Sequence, residues 1–503
     1  MLDALQQLLT VETFLNVLWA TLAGMIIGAL PGLTATMGLA LVTSLTYGMG
    51  GDQAILVLIC LYISSIYGGS RSAILLNIPG TPANAATAVE GYPMARKGRA
   101  AEALGLATVA SLVGSLFGGL CLYLIAPVLA EVALRFGSFE YFFLGVFGIL
   151  IAGMMTSIED PLKGWIAGFI GLFVPMIGLE ALQAYERFSF GSLQLAGGIA
   201  LIPAMVGAFG VAEILLSVGA RKAEEAPPAT QPASIGSLLA SLWRRKATVG
   251  RSSVIGTAIG IIPGVGEDVA AWIAYAAGRR FSREAASYGS GSPDGLIAAE
   301  TANSAAMPGA IIPALTLAVP GSAPAAVLLA AMFIHNVRPG PMIMIENPGF
   351  VANVVWIILF GSIAMAVLGL LLTRPLVAIL KIPKAYLLPV IFILCLIGPY
   401  ALSQRLFDIH VMMAFGVLGL LMRLMRYPMA PLILGIILGG MIDQNLRRAL
   451  VLFERDPTAV LTRPISLVLI LLCAVTLLAG IPAVRRACGA LLAGRRRAPG
   501  LPG

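Results

Sequence analysis

Charged side chains are scarce in this sequence. They make up 11% of the 503 residues, whereas hydrophobic residues make up 59%. A soluble domain usually carries about a quarter charged residues, so this composition excludes an ordinary water-soluble protein. A bundle of membrane helices fits instead, because each span needs about 20 mostly apolar residues. The stretch 351–372 is of this length, and shorter apolar stretches such as 411–424 accompany it. We expect roughly 10 to 14 hydrophobic segments, several of them short, in an all-α polytopic membrane protein.

Signatures of the common enzyme classes are also lacking. The sequence has no GxxxxGK[ST], no HExxH and no GxSxG, which are the motifs of nucleotide, zinc and serine-nucleophile sites. Its two histidines, His335 and His410, lie far apart, and its five cysteines form no CxxC pair. We therefore expect no enzyme, no metal centre and no cofactor. A channel and a membrane scaffold remain alternatives to a carrier.

The charges that are present are unevenly placed. The formal net charge is +8, and the basic residues cluster in short loops between apolar segments and in the tail 485–503. Basic loops of membrane proteins usually face the cytoplasm. The excess therefore predicts a cytoplasmic surface rather than a nucleic-acid partner.

One long polar segment containing prolines divides the chain. We interpret it as a cytoplasmic linker joined to an interfacial helix. The predicted domains are a first membrane repeat (1–218), this linker (219–247), a second membrane repeat with additional C-terminal helices (248–484) and a basic cytoplasmic tail (485–503).

The two halves contain matching motifs. GALPGLTATMGLAL at 28–41 corresponds to GIIPGVGEDVAAWI at 260–273, and GGSRSAILLNIPGTPANAA at 68–86 corresponds to PGAIIPALTLAVPGSAPAA at 308–326. After the Pro-Gly motif that comes first in each half, basic residues occur in the second half of the chain but not in the first. After the motif that comes second in each half, they occur mainly in the first half of the chain. Equivalent loops would then lie on opposite sides of the membrane. The pattern predicts two repeats of inverted topology, a recurring plan of transporters.

Each of the four motifs contains a Pro-Gly pair. An interrupted helix is tolerated at membrane depth only where it is buried in protein or lines a wet cavity. The N–H groups at the start of a half-helix attract anions, and carbonyl groups at the end of the preceding one can bind Na⁺ with nearby hydroxyl or amide oxygens. We therefore predict discontinuous helices or re-entrant hairpins, with structural breaks at Pro31, Pro79, Pro82, Pro263 and Pro320.

Polar residues near these breaks are the candidate site. The candidates for substrate binding are Gly32, Thr34, Arg71, Asn77, Gly80, Thr81, Asn84, Gly264, Asn303, Gly321 and Ser322. The candidates for cation coupling are Asn77, Glu267, Asp268, Glu300, Asn303 and Ser304. Other roles stay open, because asparagines can join helices and Arg71 can extend to the membrane interface.

Three long motifs resemble one transporter family. GALPGLTATMGLAL, IYGGSRSAILLNIPGTPANAATAVEGYPMARKGRAAEALG and PDGLIAAETANSAAMPGAIIPALTLAVPGSAPAAVLLAAM are similar to the large membrane subunit of the tripartite tricarboxylate transporters. Two departures stand out: Gly178-Leu179-Glu180 replaces a common Gly-Leu-Asp, and the ETANS run at 300–304 replaces a commoner double asparagine. They leave the transport class intact and leave the substrate and the ion open.

The resemblance implies a function and partners. It implies secondary uptake of tri- or dicarboxylates, citrate among them, across the bacterial inner membrane, with Na⁺ or H⁺ as the coupling ion. The implied partners are a small membrane subunit of the same transporter, a periplasmic solute-binding protein, the carboxylate and the lipid bilayer. An ion-gated anion channel or an intramembrane scaffold subunit is the alternative.

Overall fold

The fold is given by a computed structural model of the chain. It describes residues 6, 8–30, 33–157, 160–180, 184–217, 234–373, 375–376, 384–453, 457–481 and 484. Within these residues the chain is helical almost throughout. The strands found there are β1 (Gly178–Leu179) and β2 (Glu186–Arg187), which pair in antiparallel fashion. The all-α class is therefore confirmed.

The α-helices follow one another with short connections. In chain order they are α1 (Val11–Ala29), α2 (Ala35–Leu45), α3 (Gly51–Leu76), α4 (Asn84–Met94), α5 (Ala100–Ala133), α6 (Ser138–Thr156), α7 (Pro161–Phe173), α8 (Leu193–Ala196), α9 (Leu201–Met205), α10 (Ala212–Ser217), α11 (Ile235–Arg244), α12 (Lys246–Ile261), α13 (Gly266–Phe281), α14 (Pro293–Leu317), α15 (Ala323–Ile334), α16 (Ile343–Glu346), α17 (Phe350–Leu371), α18 (Lys384–Ser403), α19 (Leu406–Leu424), α20 (Met429–Leu452) and α21 (Pro464–Gly480). The segment Ala95–Arg99, which is kinked at Gly98 (φ 78°), joins α4 to α5, and the π-helical segment Val206–Val211 joins α9 to α10.

Many of these helices suit a bilayer. In the described part of the chain, eight are long and apolar enough to cross a membrane. They are α1, α3, the joined segment Asn84–Ala133, α6, α17, Tyr386–Ser403 of α18, α19 and α20. Four shorter apolar segments accompany them: Pro161–Met176, Leu201–Ser217, Ala323–Ile334 and Pro464–Gly480. The polytopic membrane architecture is thereby confirmed.

Large apolar side chains cover the outer faces of the spans. Phe14, Val128, Leu371 and Leu471 are between 62% and 74% exposed. So many exposed large apolar side chains suit a surface that faces lipid. Lipid chains would cover it.

Contacts divide the chain into two compact units. The first comprises Met1–Arg135 and Ile199–Met425, and the second comprises Phe136–Gly198 and Arg426–Gly503. In the first unit α3 and α14 form the core, since residues 54–76 and 294–317 are buried.

Glycine lets the neighbouring helices approach α3 and α14 closely. A Cβ added to Gly28 of α1 would lie 1.9 Å from the carbonyl oxygen of Ser65, and one added to Gly260 of α12 would lie 2.3 Å from that of Ala306. Such distances are tolerable only without a side chain, as at other close crossings of membrane helices. A close approach at a glycine is thus common to the pair α1–α3 and the pair α12–α14.

The second unit contains α6, α7, α8, α20, α21 and the small hairpin. Glu140 of α6 is buried and accepts hydrogen bonds from Arg463 Nη1 (2.6 Å), Ser466 Oγ (2.6 Å) and the N–H of Gly137 (2.8 Å). In the same unit Asp443 accepts from Arg187 (2.9 Å) and Arg447 (3.0 Å). These paired charges tie the helix ends together.

Part of the predicted domain scheme falls on residues outside the description. These are 218–233 of the linker region and the tail 485–503. The remainder of the linker forms α11 and the first residues of α12; α11 buries Leu238 and Leu242 and exposes Trp243. The repeat boundaries and the inverted topology stay predictions.

Candidate functional site

The breaks after α3 and α14 have the same backbone geometry. Asn77 (φ 54°) and Ala318 (φ 55°) end the two helices in the left-handed conformation. The N–H of Asn77 donates to the carbonyl of Ser72, and the N–H of Ala318 donates to that of Pro313. Each bond reaches back five residues along its helix. The same termination thus occurs at corresponding positions of the two motifs.

The glycines of these two breaks fold back onto their helices. The N–H of Gly80 donates to the carbonyl of Gly69 (3.4 Å), and the N–H of Gly321 donates to that of Ala310 (3.2 Å). A Cβ on Gly80 or Gly321 would lie 2.5 or 2.6 Å from the Cα of those same partners. The second and fourth motifs therefore form equivalent loops, as their spacing suggests.

The first break is described only in part. Pro31 and Gly32, predicted as a break and a substrate contact, lie outside the described residues. Thr34 caps α2, because its side chain accepts from the N–H of Met37 (3.2 Å). The hydroxyl oxygen of Thr34 is thus engaged in a hydrogen bond within the chain.

The third and fourth breaks touch each other. The N–H of Gly264 (φ 73°) donates to the carbonyl of Pro320 at 3.3 Å. A Cβ on Gly266 (φ 62°) would lie 2.6 Å from the Cβ of Ser322. Pro263 and Pro320 are both buried. The two breaks of the second half therefore meet in one buried place.

The start of α4 is shaped by Asn84. Its Oδ1 accepts from the N–H (3.1 Å) and the hydroxyl (2.6 Å) of Thr81. Its Nδ2 donates to the carbonyl of Ile66 (3.2 Å) and to Ser70 Oγ (2.9 Å). Asn84 therefore holds the second break in place, whereas Pro79, Pro82 and Asn77 are exposed beside it.

Asp268 of α13 occupies the N-terminus of α4. Its Oδ1 accepts a hydrogen bond from the N–H of Ala83 at 3.0 Å. The partial positive charge of a helix N-terminus favours such an anion. The start of α4, which the Pro-Gly motif predicts to bind a substrate carboxylate, therefore binds the carboxylate of Asp268 in this structure.

Glu267, the residue before Asp268, is linked to the fourth break through the hydroxyl of Tyr62. The hydroxyl of Tyr62 lies 3.3 Å from both carboxylate oxygens of Glu267 and 2.6 Å from Ser322 Oγ. Ser322 Oγ accepts from the N–H of Ala325 (3.3 Å) and so caps α15. Two adjacent carboxylates at the start of α13 therefore serve two breaks, and Tyr62 is a participant that the sequence reasoning missed.

Glu300 lies inside α14, fully buried among hydroxyl groups. It accepts from Ser70 (2.7 Å), Ser111 (2.9 Å) and Thr87. These three residues come from α3, α5 and α4. Because Ser70 also contacts Asn84, the carboxylate of Glu300 is linked to the second break.

Asn303 and Ser304 lie one turn further along α14. Asn303 is fully buried, and neither its Oδ1 nor its Nδ2 has a hydrogen-bond partner among the described residues. Ser304 is also buried, and its carbonyl lies 3.5 Å from Ser115 Oγ. A buried amide without partners costs free energy unless something binds it.

Arg71 is buried on another side of α3. Its Nη2 donates to the hydroxyl of Tyr67 (2.7 Å) and to the carbonyl of Gly369. Its Nε and Nη1 have no partner within the described chain. Arg71 is 1% exposed, and its hydrogen bonds do not include Glu300.

Glu90 is a buried anion that the sequence reasoning did not select. It accepts from the hydroxyl of Tyr275 (2.7 Å) and from three N–H groups of the loop before α14: Gly289 (2.6 Å), Gly291 (2.8 Å) and Ser292 (2.7 Å). Two features of the sequence could have indicated this contact: an acidic residue within an apolar run of the first half, and the glycine-rich segment SYGSGS in the second half.

The same loop contains a second fixed hydroxyl. Tyr288 donates to Asp294 Oδ2 at 2.8 Å. Burial, and then the hydrogen bond to Asp294, raise the pKa of Tyr288 above its usual value. Tyr288 therefore remains a hydrogen-bond donor at neutral pH.

Comparison with known proteins agrees with the motifs. Residues 14–434 match the model of the tripartite tricarboxylate transporter TctA family. An uncharacterized 52.8 kDa protein of the TAR-I ttuC' 3' region of Agrobacterium vitis is 32% identical over 468 residues, which cover 91% of both chains. An uncharacterized protein of the TAR-II ttuC' 3' region of the same organism is 31% identical over 46% of this chain and 96% of its own. No solved structure matches the chain significantly.

The family match covers every described break and its acidic neighbours. The chain therefore belongs to the tripartite tricarboxylate transporter TctA family.

Proposed function

We propose that this protein takes up tri- or dicarboxylates across the bacterial inner membrane, coupled to Na⁺ or H⁺. In this proposal a periplasmic binding protein delivers the substrate, and a small membrane subunit completes the transporter. Family membership supports the transport class. The absence of a nucleotide-binding motif from the sequence favours an ion gradient as the source of energy.

The observation that carries the proposal is the acidic pair at the start of α13. Asp268 binds the N–H of Ala83, and Glu267 accepts from the hydroxyl of Tyr62, which in turn lies 2.6 Å from Ser322 Oγ. Groups that bind a carboxylate of the chain have the chemistry needed to bind a carboxylate of the substrate. We therefore place the substrate at the starts of α4 and α15, where it replaces Asp268 and Glu267.

The replacement explains why a cation is required. A substrate carboxylate that enters beside Asp268 and Glu267 adds negative charge to a buried region. Uncompensated charge is costly in a low-dielectric interior. A Na⁺ or H⁺ that binds with the substrate lowers this cost. Alternating exposure of the site to the two faces then gives uptake, with the linker and the tail at the cytoplasmic face.

The experiment compares Asp268→Asn with the wild type in proteoliposomes that also contain the small subunit and the binding protein. The neutral amide is a weaker ligand for the Ala83 N–H by about 1 kcal/mol, so the substrate should compete roughly fivefold better. We expect a lower half-saturating citrate concentration and slower gradient-driven uptake. Glu346→Gln, at an exposed position, is the matched control and should behave as the wild type.

Two outcomes contradict the proposal. If Asp268→Asn and Glu346→Gln have the same concentration dependence and the same rate, the substrate does not compete with Asp268. If citrate flux through the wild type does not saturate and ignores the ion gradient, the protein acts as a channel.

A further inference from the structure

Two buried glutamates of the first unit have opposite environments. Glu90 is held by three backbone N–H groups and one tyrosine hydroxyl. A backbone N–H can only donate, so these three groups require acceptor oxygens on Glu90 and cannot accept from a carboxyl O–H. Glu90 therefore has a structural role.

Glu300 is surrounded by a different kind of partner. Its hydrogen bonds come from the hydroxyls of Ser70, Thr87 and Ser111. A hydroxyl can donate to a carboxylate, and after rotation it can accept from a carboxylic acid. The same three partners therefore accommodate Glu300 with or without a proton.

In the described part of the chain, no positive group pairs with Glu300. Among the described residues it takes part in no ion pair. A fully buried carboxylate without a counter-ion is costly in its charged form. Protonation removes this cost.

Charged and titratable groups on the neighbouring helices face other partners. On α3, Arg71 binds Tyr67 and Gly369, and Tyr62 binds Glu267. On α5, Glu102 pairs with Arg99 at 2.8 Å. Three further groups also have contacts of their own: Glu90 on α4 binds the loop before α14, Arg251 on α12 lies over the ring of Phe281, and Asp268 on α13 binds Ala83.

The contacts of Glu300 suit a proton better than a metal cation. Ser70 Oγ and Ser111 Oγ lie 2.7 and 2.9 Å from its carboxylate oxygens, which are direct hydrogen-bond distances. A cation coordinated by these oxygens would stand between them and would hold them further apart. A proton needs no such space.

Glu300 is also connected to the proposed substrate site. Ser70 binds both Glu300 and Asn84, and Asn84 binds Thr81 at the break. Ala299, the residue before Glu300, packs in one buried cluster with Ala271 and Ala83. Ala271 lies on the helix of Asp268, and Ala83 is the hydrogen-bond partner of Asp268. A change of charge at Glu300 therefore acts where the substrate carboxylate binds.

We propose that Glu300 is the proton-binding site that couples carboxylate uptake to the proton gradient. A carboxylate oxygen of Glu300 takes a proton from the periplasmic side together with the substrate and releases it to the cytoplasm. The added proton offsets one negative charge of the substrate. This inference rests on the proposed function and specifies its coupling ion.

The first test does not depend on transport. Infrared spectra of the purified full-length chain at neutral pH should contain the C=O stretching band of a buried protonated carboxyl group. Glu300→Gln should remove this band, whereas Glu346→Gln, at an exposed position, should leave it unchanged. A Glu300→Gln spectrum identical to that of the wild type overturns the proposal.

The second test separates exchange from net uptake in proteoliposomes that contain the small subunit and the binding protein. Glu300→Gln resembles the protonated state, so it should lose net citrate uptake driven by a pH gradient. Exchange of labelled for unlabelled citrate should persist, because exchange needs no release of the proton. Glu300→Asp, which restores an ionisable group, should recover part of the net uptake. A merely structural role would reduce exchange and net uptake together.

Two results overturn the coupling role in this assay. One is full pH-driven uptake by Glu300→Gln, and the other is wild-type uptake that follows a Na⁺ gradient without movement of protons. If the wild type takes up no carboxylate under any gradient, the proposed function itself fails, and the infrared band still decides whether Glu300 binds a proton.

Discussion

Replacement of Glu90 tests whether the loop before α14 is held by a buried anion. In Glu90→Gln one carboxylate oxygen becomes an NH₂ group. This donor would face N–H groups such as those of Gly291 and Ser292, which now donate to Glu90 Oε2 at 2.8 and 2.7 Å. Two charge-assisted hydrogen bonds of about 1.5 to 3 kcal/mol each are lost, so we expect destabilisation of about 3 to 6 kcal/mol.

Thermal unfolding of the purified protein in detergent measures this effect. Tyr275→Phe removes one of the four donors to Glu90 and should lower the unfolding temperature by an intermediate amount. Glu102→Gln breaks an ion pair with Arg99 whose side chains are 36% and 41% exposed, and such pairs contribute about 1 kcal/mol or less. If Glu90→Gln unfolds at the same temperature as Glu102→Gln, the assignment of Glu90 as a buried structural anion is wrong.

Two further predictions concern the breaks and the core helix. Gly321→Ala should strongly lower the unfolding temperature and the yield of folded protein, because the added Cβ would lie 2.3 Å from the carbonyl oxygen of Gly260. A Cβ added at Gly250 meets nothing within 4 Å, so the control Gly250→Ala should be neutral. Equal yields and melting curves of the two variants would contradict the close approach. Asn303→Ala should reduce gradient-driven uptake and leave the unfolding temperature nearly unchanged, because the amide atoms of Asn303 make no hydrogen bond within the described chain. Unchanged uptake would remove Asn303 from the site.

Much of the first unit was predictable from the sequence. Proline cannot donate a hydrogen bond within a helix, and glycine permits the left-handed conformation and the close approach of helices. The repeated Pro-Gly pairs therefore located the ends of α3 and α14, and Gly80 and Gly321 form equivalent contacts there. Hydropathy gave the membrane class because apolar spans are long and continuous.

The partners of the polar residues could not be predicted in the same way. Asp268 was selected for coupling, but its contact with the N–H of Ala83 joins residues 185 positions apart. Glu90 and the loop around Gly289 are similarly distant in the sequence. Spacing along a chain gives the period of a helix, but the choice of which helices become neighbours depends on packing of the whole bundle.

Local residue types also left the roles of some candidates open. Asn84 was expected to contact substrate, and the structure uses all its hydrogen bonds to shape the second break. Asn303 has the same side chain and no such partners in the described residues. The two differ only in their three-dimensional surroundings, so the type of residue alone could not separate them. Both substrate-binding assignments stay predictions.

Uptake of labelled citrate into proteoliposomes that contain this chain, the small membrane subunit and the periplasmic binding protein tests the central claim most directly. An inward pH gradient, an inward Na⁺ gradient and no gradient are imposed in turn, with and without the binding protein. The account predicts saturable accumulation that requires both the binding protein and the pH gradient. Citrate entry that never exceeds equilibrium, whatever gradient or binding protein is supplied, would contradict it.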